Sequence, residues 1–467
     1  MTIELKTQLF DYQKKAVEKL SKVKVGALYM EMGTGKTRTA LELIKHRMSK
    51  GKVNHILWLC PCTVKADLQM NLQQHAIISD DILTICGIET LSSSIKSFYK
   101  LMDLVMAKEC YLIVDESNLV KNPFAIRSRN ILRLAEECKY KLILNGTPIT
   151  KNVADLFAQW QILDWRILGY RSFYSFAANH LEYDKKYKKM VRNVLDLDYL
   201  MDKISPYTYQ IRKDECLSLP SKMCDTYFFT LTEDQYTHYR HVVDDFLSEK
   251  ILEQMQNTDL EFDTLIYRTF NALQEVTSGQ RITTPAYLHT QHENFFKIIE
   301  DNPRIKALEE IVKWFNDEKI IIWCKYKHEI DDIYNILSNK NYKCCKYYGK
   351  LSFKKREESI RLFKDDCQIL IANNACGSYG LNLQFCHNMI YYNNDWNWAT
   401  RAQSEDRVHR IGQDSKISIV SICAEFTIDE RILECLQRKE NLSDSFKNHL
   451  KEQQKALSWL MGKGAQI

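Results

Sequence analysis

The sequence contains few of the residues that interrupt folded structure, with only 7 prolines and 14 glycines among 467 residues. This leaves little room for disordered or low-complexity linkers. No stretch approaches the ~18 consecutive apolar residues of a membrane span, and the amphipathic N-terminus does not resemble a secretory signal. We therefore expect a folded, cytoplasmic chain that neither crosses a membrane nor is secreted.

No two of the 15 cysteines are spaced as Cys-x-x-Cys, so we expect buried thiols in a reducing cytosol rather than a zinc site. The length exceeds that of one compact domain and suits two or three. With 65 basic and 60 acidic residues the net charge is +5. This mild basic bias permits a nucleic-acid partner, although a uniformly solvated surface could give the same total.

Residues 30–37, Met-Glu-Met-Gly-Thr-Gly-Lys-Thr, have the pattern of a phosphate-binding loop between a buried strand and a helix. Backbone N–H groups of such a loop converge on phosphates, while the lysine adds charge and the threonine hydroxyl can hold Mg²⁺. The predicted nucleotide-binding residues are Met32, Gly33, Thr34, Gly35, Lys36 and Thr37. Met30 replaces the first glycine of the full signature, so the loop alone is equally consistent with a glycine-rich turn.

A second apolar run, Cys110-Tyr-Leu-Ile-Val, ends in the adjacent carboxylates Asp115 and Glu116. In a parallel sheet these side chains would lie at the same edge as the loop. We expect Asp115 to hold Mg²⁺ and Glu116 to orient and deprotonate an attacking water. The alternative is an acidic helix cap, which Lys36 upstream makes less favourable.

The second half has no phosphate loop but contains Gln403, Arg407 and Arg410 at spacings of four and three. On a helix over residues 402–410 these side chains would lie on one face. A pair of guanidinium groups suits a transferring phosphoryl group. A salt-bridged basic helix is the alternative.

Weaker candidates lie elsewhere in the first half. The amide of Gln13, ahead of the loop, could bind an adenine edge, or it could be an ordinary solvated side chain. Thr63 and Lys65 at a helix start could bind a nucleic-acid phosphate, and an N-cap explains them equally well. Thr147, after the apolar run 140–144, could couple a nucleotide to nucleic acid, or it could belong to a plain turn.

Strand and helix patterns alternate in both halves, which predicts α/β architecture with mostly parallel sheets covered by helices on both faces. Strand patterns cover 55–61, 82–86, 140–145, 224–231, 319–324, 344–348, 368–372 and 390–392. The segment Glu89-Thr-Leu-Ser-Ser has the composition of a polar loop. Residues 152–212 and 233–300 have mostly helical character, with a polar break near Thr277.

Together and in order, these segments resemble the superfamily 2 helicase and translocase ATPases, specifically the SWI/SNF-like DNA translocase branch. The resemblance runs from Leu9 to about Leu436. It rests on the motifs Glu31-Met-Gly-Thr-Gly-Lys-Thr, Asp115-Glu-Ser-Asn-Leu-Val-Lys-Asn, Gly146-Thr-Pro-Ile-Thr-Lys-Asn, Arg212-Lys-Asp-x-x-x-x-Leu-Pro-Ser-Lys, Gly380-Leu-Asn-Leu, Asp395-Trp-Asn and Gln403-x-x-Asp-Arg-x-x-Arg-Ile-Gly-Gln. Ser117 and Asn118 replace the family's usual Ala-His.

The resemblance implies two RecA-like lobes, residues 1–215 with a helical insertion at about 152–212, and residues 216–467 with one at about 233–300. It implies that ATP and Mg²⁺ bind between the lobes and that duplex DNA crosses both. Gln13 would read adenine, Arg407 and Arg410 would be arginine fingers with Gln403 nearby, and Gly380 would lie in a coupling motif. The residues expected to contact DNA are Thr63, Lys65, Thr147, Asn382 and Trp396.

The resulting hypothesis is an ATP-dependent DNA translocase that moves along duplex DNA through its backbone. An RNA-dependent ATPase or strand-unwinding helicase is the first alternative, and a non-hydrolysing, ATP-sensing nucleic-acid clamp is the second. Only about thirty residues follow the matched core, and no chromatin-reading, zinc or nuclease module is recognisable. We therefore expect a minimal, monomeric motor of viral, phage or bacterial type.

Overall fold

The computed structural model describes residues 3–146, 153–183, 191–217, 219–248, 259–284, 291–374, 382–440, 442–447, 449 and 453–462. The chain forms two compact units, Met1–Ser218 (unit 1) and Leu219–Ile467 (unit 2). Each unit is built on its own six-stranded parallel sheet with helices, the architecture of a RecA-like lobe. Within these described ranges no helix is long and apolar enough to span a bilayer.

The elements of unit 1 are, in chain order, β1 Glu4–Leu5, α1 Asp11–Leu20, β2 Val25–Met30, α2 Lys36–Ser49, β3 His55–Cys60, α3 Lys65–His75, β4 Ala76–Ile77, β5 Leu83–Gly87, α4 Thr90–Ser93, α5 Ile95–Ala107, β6 Cys110–Val114, α6 Ile126–Glu137, β7 Tyr140–Asn145, α7 Ala154–Leu168, α8 Phe173–His180, β8 Leu181–Tyr183, β9 Val191–Val194, α9 Leu197–Ile204, β10 Thr208–Ile211 and α10 Lys213–Cys216. The sheet order is β10-β2-β7-β6-β3-β5, and every neighbouring pair is parallel.

Both faces of the unit 1 sheet are buried, which explains why its central strands are continuous apolar runs. Successive residues of a strand point to opposite faces. In β3, Leu57 and Leu59 join one hydrophobic cluster, whereas Ile56 and Trp58 join the cluster on the other face. Because both faces of the sheet are buried, residues that could bind a ligand lie in the loops at the strand ends.

The elements of unit 2 are, in chain order, β11 Lys222–Phe229, α11 Glu233–Phe246, α12 Asp259–Thr277, β12 Gln280–Ile282, β13 His292–Asn294, α13 Pro303–Trp314, β14 Ile320–Cys324, α14 Lys327–Asn339, β15 Cys344–Tyr347, α15 Phe353–Asp365, β16 Ile369–Asn373, β17 Asn388–Tyr391, α16 Trp398–Glu405, β18 Ile417–Ala424, α17 Ile428–Arg438, α18 Leu442–Lys447 and α19 Gln453–Leu460. The sheet order is β11-β18-β17-β14-β16-β15, again parallel throughout.

A helical cluster packs beside this second sheet. Side chains of α11 and α12 form a common core with those of α17, α18 and α19. Trp459, near the end of the chain, is buried there, with its ring 5.0 Å from that of Phe446 and 5.8 Å from that of Phe270. The described part of the C-terminal segment therefore packs on unit 2.

The strand predictions for both sheets are confirmed, and four features differ from the sequence-based expectations. Residues 90–93 form the short helix α4 rather than a polar loop, because the side chain of Leu91 within this segment is buried in the core. The segment 152–212 is not purely helical, since it includes β8 and β9 and ends in β10, an edge strand of the main sheet. The helix predicted over 402–410 ends at Glu405. Strand β18 was not predicted.

Candidate functional site

The phosphate-binding loop follows β2 at the carboxyl edge of the unit 1 sheet, and its two glycines have left-handed backbone conformations. Gly33 has φ of 80° and Gly35 has φ of 83°. Gly35 is also the N-cap of α2. A Cβ at this position would lie 2.2 Å from the Nε2 atom of Gln13. The absence of a side chain at Gly35 is therefore required both by the backbone and by the packing around it.

Helix α1 packs against the loop through two side chains that contact the same carbonyl. Gln13 Nε2 and the Tyr12 hydroxyl each donate to the Thr34 carbonyl at 3.0 Å. Gln13 Oε1 accepts from the Phe10 backbone N–H at 3.0 Å, and the Gln13 side chain is buried. The amide thus lies beside the loop, as the sequence suggested, and Tyr12 is a second loop contact that sequence reasoning missed. Adenine binding by Gln13 remains a prediction.

Lys36 lies at the start of α2 with its side chain directed back over the loop. Its Nζ donates to the Met30 carbonyl at 2.9 Å. Burial raises the pKa of Asp115, and the charge of Lys36 opposes that rise, so the ammonium lies within electrostatic reach of this carboxyl group. Thr37 is the next residue of the first helical turn and is half-buried. The structure thus brings the basic and acidic groups of unit 1 to one edge of the sheet.

Asp115 and Glu116 follow β6, which β7 separates from β2 in the sheet. The pKa of Asp115 is raised to about 6, mainly by burial and then by the Glu116 carboxylate, while Lys36 opposes the rise. Asp115 Oδ1 accepts from the Glu116 backbone N–H at 3.0 Å. Glu116 itself has φ of 48°, a left-handed conformation that is unusual for a non-glycine residue and is often found where side chains are held for function.

The turn after the carboxylates is held by a buried polar contact that no sequence motif predicts. Ser117 Oγ donates to Gln159 Oε1 on α7 at 2.6 Å, and Gln159 Nε2 donates to the Asp155 carbonyl at 2.7 Å. Ser117 and Gln159 are both fully buried. In the described part of the chain, the buried Oδ1 atom of Asn118 has no hydrogen-bond partner. The spacing of 42 residues explains why no local motif predicts the Ser117–Gln159 pair.

The predicted common helix face of Gln403, Arg407 and Arg410 is wrong. Gln403 lies on α16, which ends at Glu405, and both arginines belong to the turn beyond it. Local backbone hydrogen bonds continue there, such as that from the His409 N–H to the Glu405 carbonyl at 2.8 Å, and tertiary contacts are added to them. The Arg407 carbonyl accepts from the Leu383 N–H at 3.0 Å, and the Arg410 guanidinium donates to the side chain of Asn382.

The two arginines nevertheless lie close together. The pKa of Arg410 falls to about 10, mainly because the group is buried and then because Arg407 repels it, with Asp406 acting in the opposite direction. Two guanidinium groups that repel each other in a partly desolvated turn favour an anion between them.

The remaining residues of the Arg-Ile-Gly-Gln motif form the support of this turn. Gly412 has φ of 94°, so it takes the left-handed conformation that glycine adopts without strain. Gln413 is buried, and its Nε2 donates to the carbonyls of Gln384 and Cys386, both at 3.0 Å. Gln413 therefore fixes the loop before β17 and does not point to solvent.

The residues expected to contact nucleic acid have different environments. Lys65 is exposed at the start of α3, and Asn382 is exposed beside Arg410. The backbone of Thr63 lies in a short 3₁₀ helix, Cys62–Val64, but its side chain is outside the described part of the structure. Thr147 and Gly380 lie outside the described residues altogether.

Trp396 is held within unit 2 by several contacts. Its Nε1 donates to Gln274 Oε1 at 2.9 Å, and the Lys325 ammonium lies 3.5 Å from the centre of a ring that also stacks on Tyr267. Burial lowers the pKa of Lys325 to about 7 despite nearby carboxylates, of which Asp395 has the largest effect. DNA binding by Trp396 remains a prediction, and any such contact would compete with this packing.

Two protein families match the chain in sequence. The family described as SNF2-related domain matches residues 65–281, and the family described as helicase conserved C-terminal domain matches residues 303–412. The first match covers α3 to β12, including Asp115 and Glu116. The second covers α13 to Gly412, including both arginines.

Individual relatives are distant. The TATA-binding protein-associated factor mot1 of Aspergillus fumigatus is 22% identical over 96% of this chain and 27% of its own length. The ATP-dependent DNA helicase DDM1 of Arabidopsis thaliana is 24% identical over 69% of this chain and 43% of its own length. The uncharacterized ATP-dependent helicase YqhH of Bacillus subtilis is 23% identical over 92% of this chain and 77% of its own length.

The matched region makes up 27% of the length of the two mot1 relatives, so this chain spans only about a quarter of their length. Among solved structures, the Sulfolobus solfataricus SWI2/SNF2 ATPase core in complex with dsDNA is 22% identical, with 98% of each chain covered and a TM-score of 0.41.

Proposed function

We propose that this chain, which matches the SNF2-related domain family over residues 65–281 and the helicase conserved C-terminal domain family over residues 303–412, is an ATP-dependent translocase that moves along duplex DNA. The observation that carries the proposal is the convergence of Lys36, Asp115 and Glu116 at one edge of the unit 1 sheet. A nucleotide-binding loop alone would suit many proteins. A neighbouring pair of carboxylates suits one that hydrolyses the nucleotide.

In this proposal the N–H groups of the loop bind the ATP phosphates, and Lys36 exchanges the Met30 carbonyl for phosphate oxygens. The Thr37 hydroxyl and the Asp115 carboxylate would hold Mg²⁺, since both offer the hard oxygen donors that this ion prefers. When bound, Mg²⁺ would neutralise phosphate charge. Glu116 orients the attacking water and accepts its proton.

In the same proposal, two arginines of unit 2 would add positive charge to that of Lys36. Arg407 and Arg410 would bind the transferring phosphoryl group, and relief of their mutual repulsion would favour that contact. The hydrogen bond between Arg410 and Asn382 would connect the arginine turn to a predicted DNA contact. Hydrolysis, which removes the γ-phosphate, would then change the position of Asn382 on the DNA backbone.

The DNA contacts in this proposal go mainly to phosphates, through Lys65 in unit 1 and Asn382 in unit 2. Phosphate contacts carry little sequence information, and they weaken as the salt concentration rises because the release of counterions from the DNA then contributes less free energy. Translocation along duplex DNA should therefore be sequence-tolerant and strongly salt-dependent. The chain is proposed to act as a monomer in the cytoplasm.

The test is ATP hydrolysis measured without polymer and with duplex DNA, single-stranded DNA or RNA. We expect the largest stimulation by duplex DNA, and displacement of a short triplex-forming strand would report movement. Glu116→Gln should bind ATP and fail to turn over, whereas Glu136→Gln at the end of α6 serves as a control. Stimulation by RNA alone would contradict the DNA assignment, and hydrolysis by Glu116→Gln at the unaltered rate would contradict the role of Glu116.

A further inference from the structure

Phe10 is an exposed aromatic residue beside the phosphate-binding loop, and the reaction proposed above gives it no role. It is the N-cap of α1, and it is 49% exposed. An N-cap usually has a side chain that accepts a hydrogen bond from the first turn of the helix, which a phenyl ring cannot do. The ring therefore does not cap α1, and about half of its surface remains accessible.

The position of Phe10 relative to the loop is fixed by Gln13 and Tyr12. The Phe10 N–H donates to Gln13 Oε1 at 3.0 Å, and Gln13 Nε2 donates to the Thr34 carbonyl, also at 3.0 Å. The Tyr12 hydroxyl donates to the same carbonyl. The rings of Tyr12 and Phe10 are parallel, with 4° between their planes and 5.7 Å between their centres. An offset stack of this kind orients the exposed ring.

The Gln13 side chain has almost no surface that a ligand could contact in this arrangement. It is only 2% exposed, and both ends of its amide are hydrogen-bonded within unit 1, to the Phe10 N–H and to the Thr34 carbonyl. Its Nε2 atom also packs closely against Gly35, since a Cβ there would lie 2.2 Å away. A residue that contacts a bound base needs accessible surface, and at this end of α1 Phe10 has it whereas Gln13 does not.

We propose that the purine base of a nucleotide bound at the loop stacks on the exposed ring of Phe10, and that Gln13 is the residue that positions Phe10. Every nucleobase has a π face, and aromatic side chains bind such faces without reading the hydrogen-bonding edge of the base. The affinity for the base therefore depends on stacking and not on the edge groups that distinguish adenine from guanine. The inference rests on the proposed ATPase function, because the loop brings the base to Phe10.

The test compares the binding of ATP with that of inorganic tripolyphosphate, which has the phosphates but no base. Isothermal titration calorimetry on the full chain in the presence of Mg²⁺ measures both affinities. Phe10→Ala should weaken ATP binding about tenfold and leave tripolyphosphate binding unchanged. An unaltered ATP affinity, or an equal loss for both ligands, would overturn the proposal. Tyr99→Ala is the matched control, because Tyr99 on α5 is 54% exposed and should change neither affinity.

Two further substitutions at the same position separate stacking from a loss of apolar volume. Phe10→Leu retains an apolar side chain without a π face, so it should bind ATP as weakly as Phe10→Ala does. Phe10→Trp retains a π face and should keep the affinity for ATP. Relative to the unaltered protein, this variant should show an additional fluorescence change with ATP or GTP and none with tripolyphosphate. Normal ATP binding by Phe10→Leu would contradict stacking.

Gln13→Ala removes the hydrogen bonds to both Phe10 and Thr34, so it should weaken the binding of ATP and of tripolyphosphate together. If it weakens ATP binding alone while Phe10→Ala has no effect, Gln13 contacts the base and the proposal is wrong. Failure of the proposed function has a different appearance, because the unaltered protein then binds neither ligand or binds ATP without hydrolysing it. Circular dichroism and thermal unfolding identify any variant that does not fold.

Discussion

Arg304 on α13 and Asp429 on α17 form an ion pair in which neither side chain is more than 6% exposed. The same guanidinium donates to the carbonyl of Thr277 through Nε at 3.0 Å and also contacts the Tyr392 carbonyl and the Asn393 side chain. Arg304 therefore connects the end of α12, the residues after β17 and the start of α17.

Loss of Arg304 should strongly destabilise unit 2. Arg304→Met leaves the Asp429 carboxylate buried and unpaired, which typically costs about 3–5 kcal/mol. The change in the free energy of unfolding is measured by urea titration, with tryptophan fluorescence as the signal. The control is Lys306→Ala, which breaks the exposed 3.7 Å pair with Asp301 and should cost less than about 1 kcal/mol. Equal effects of the two variants would show that burial of the Arg304 pair does not matter.

Gly35→Ala should abolish ATP binding. The added Cβ would lie 2.2 Å from Gln13 Nε2, at a residue whose φ is 83°. Since Gln13 is buried and hydrogen-bonded on both sides of its amide, the loop backbone must move. A fluorescent ATP analogue measures the affinity. Gly51→Ala is the matched control, because Gly51 also has positive φ, at 60°, but its Cβ would meet nothing within 4 Å. Retained ATP binding by Gly35→Ala would contradict this reading of the loop.

Asp115→Asn should make the protein more stable at pH 7 while removing turnover. The raised pKa of about 6 means that burial penalises the charged carboxylate above that pH. The amide avoids the penalty, so we expect a gain of about 1–3 kcal/mol in the free energy of unfolding. The gain should shrink as the pH falls through 6, because the native carboxyl group then binds a proton.

Urea unfolding at several pH values tests the Asp115 prediction. Asp103→Asn on the exposed side of α5 is the control and should change stability little at any pH. A gain for Asp115→Asn that persists undiminished at pH 5 would show that its cause is not the carboxylate charge.

Lys65→Ala should weaken DNA binding and make the binding constant less dependent on salt concentration. Lys65 is exposed at the N-terminus of α3, where backbone N–H groups and its ammonium can bind one phosphate. Loss of one phosphate contact lowers the slope of log K against log salt by about 0.9. Fluorescence anisotropy with labelled duplex measures this slope between low and moderate salt. Lys100→Ala, whose side chain is exposed on α5, should leave the slope unchanged. An unchanged slope for Lys65→Ala would show that Lys65 does not contact the DNA.

Much of the fold was predictable because its central strands are buried on both faces. Runs such as His55–Cys60 and Cys110–Val114 have no polar alternation that could be confused with a surface strand. The same burial places the loop and Asp115 at one sheet edge, which is why the unit 1 half of the candidate site follows from sequence. Strand β18 was missed although four of its eight residues are isoleucine or valine.

The features that could not be predicted depend on contacts between residues that are far apart in the sequence. The periodicity of 402–410 favours a helix, but the turn that carries Arg407 gains its hydrogen bond from Leu383. Ser117 with Gln159, and Arg304 with Asp429, are pairs that only the folded chain brings together. Spacing rules describe neighbours along one element and cannot anticipate partners on another.

The two hydrogen bonds of Gln413 have a consequence for how relatives of this protein are classified. Gln413 ends the Arg-Ile-Gly-Gln motif, yet it is buried and supports the carbonyls of Gln384 and Cys386. A gene copy that lost Glu116 would still need Gln413 to fold. Presence of the motif in another sequence therefore indicates the architecture of unit 2, whereas the proposed ATP hydrolysis has to be judged separately from Glu116 and the two arginines.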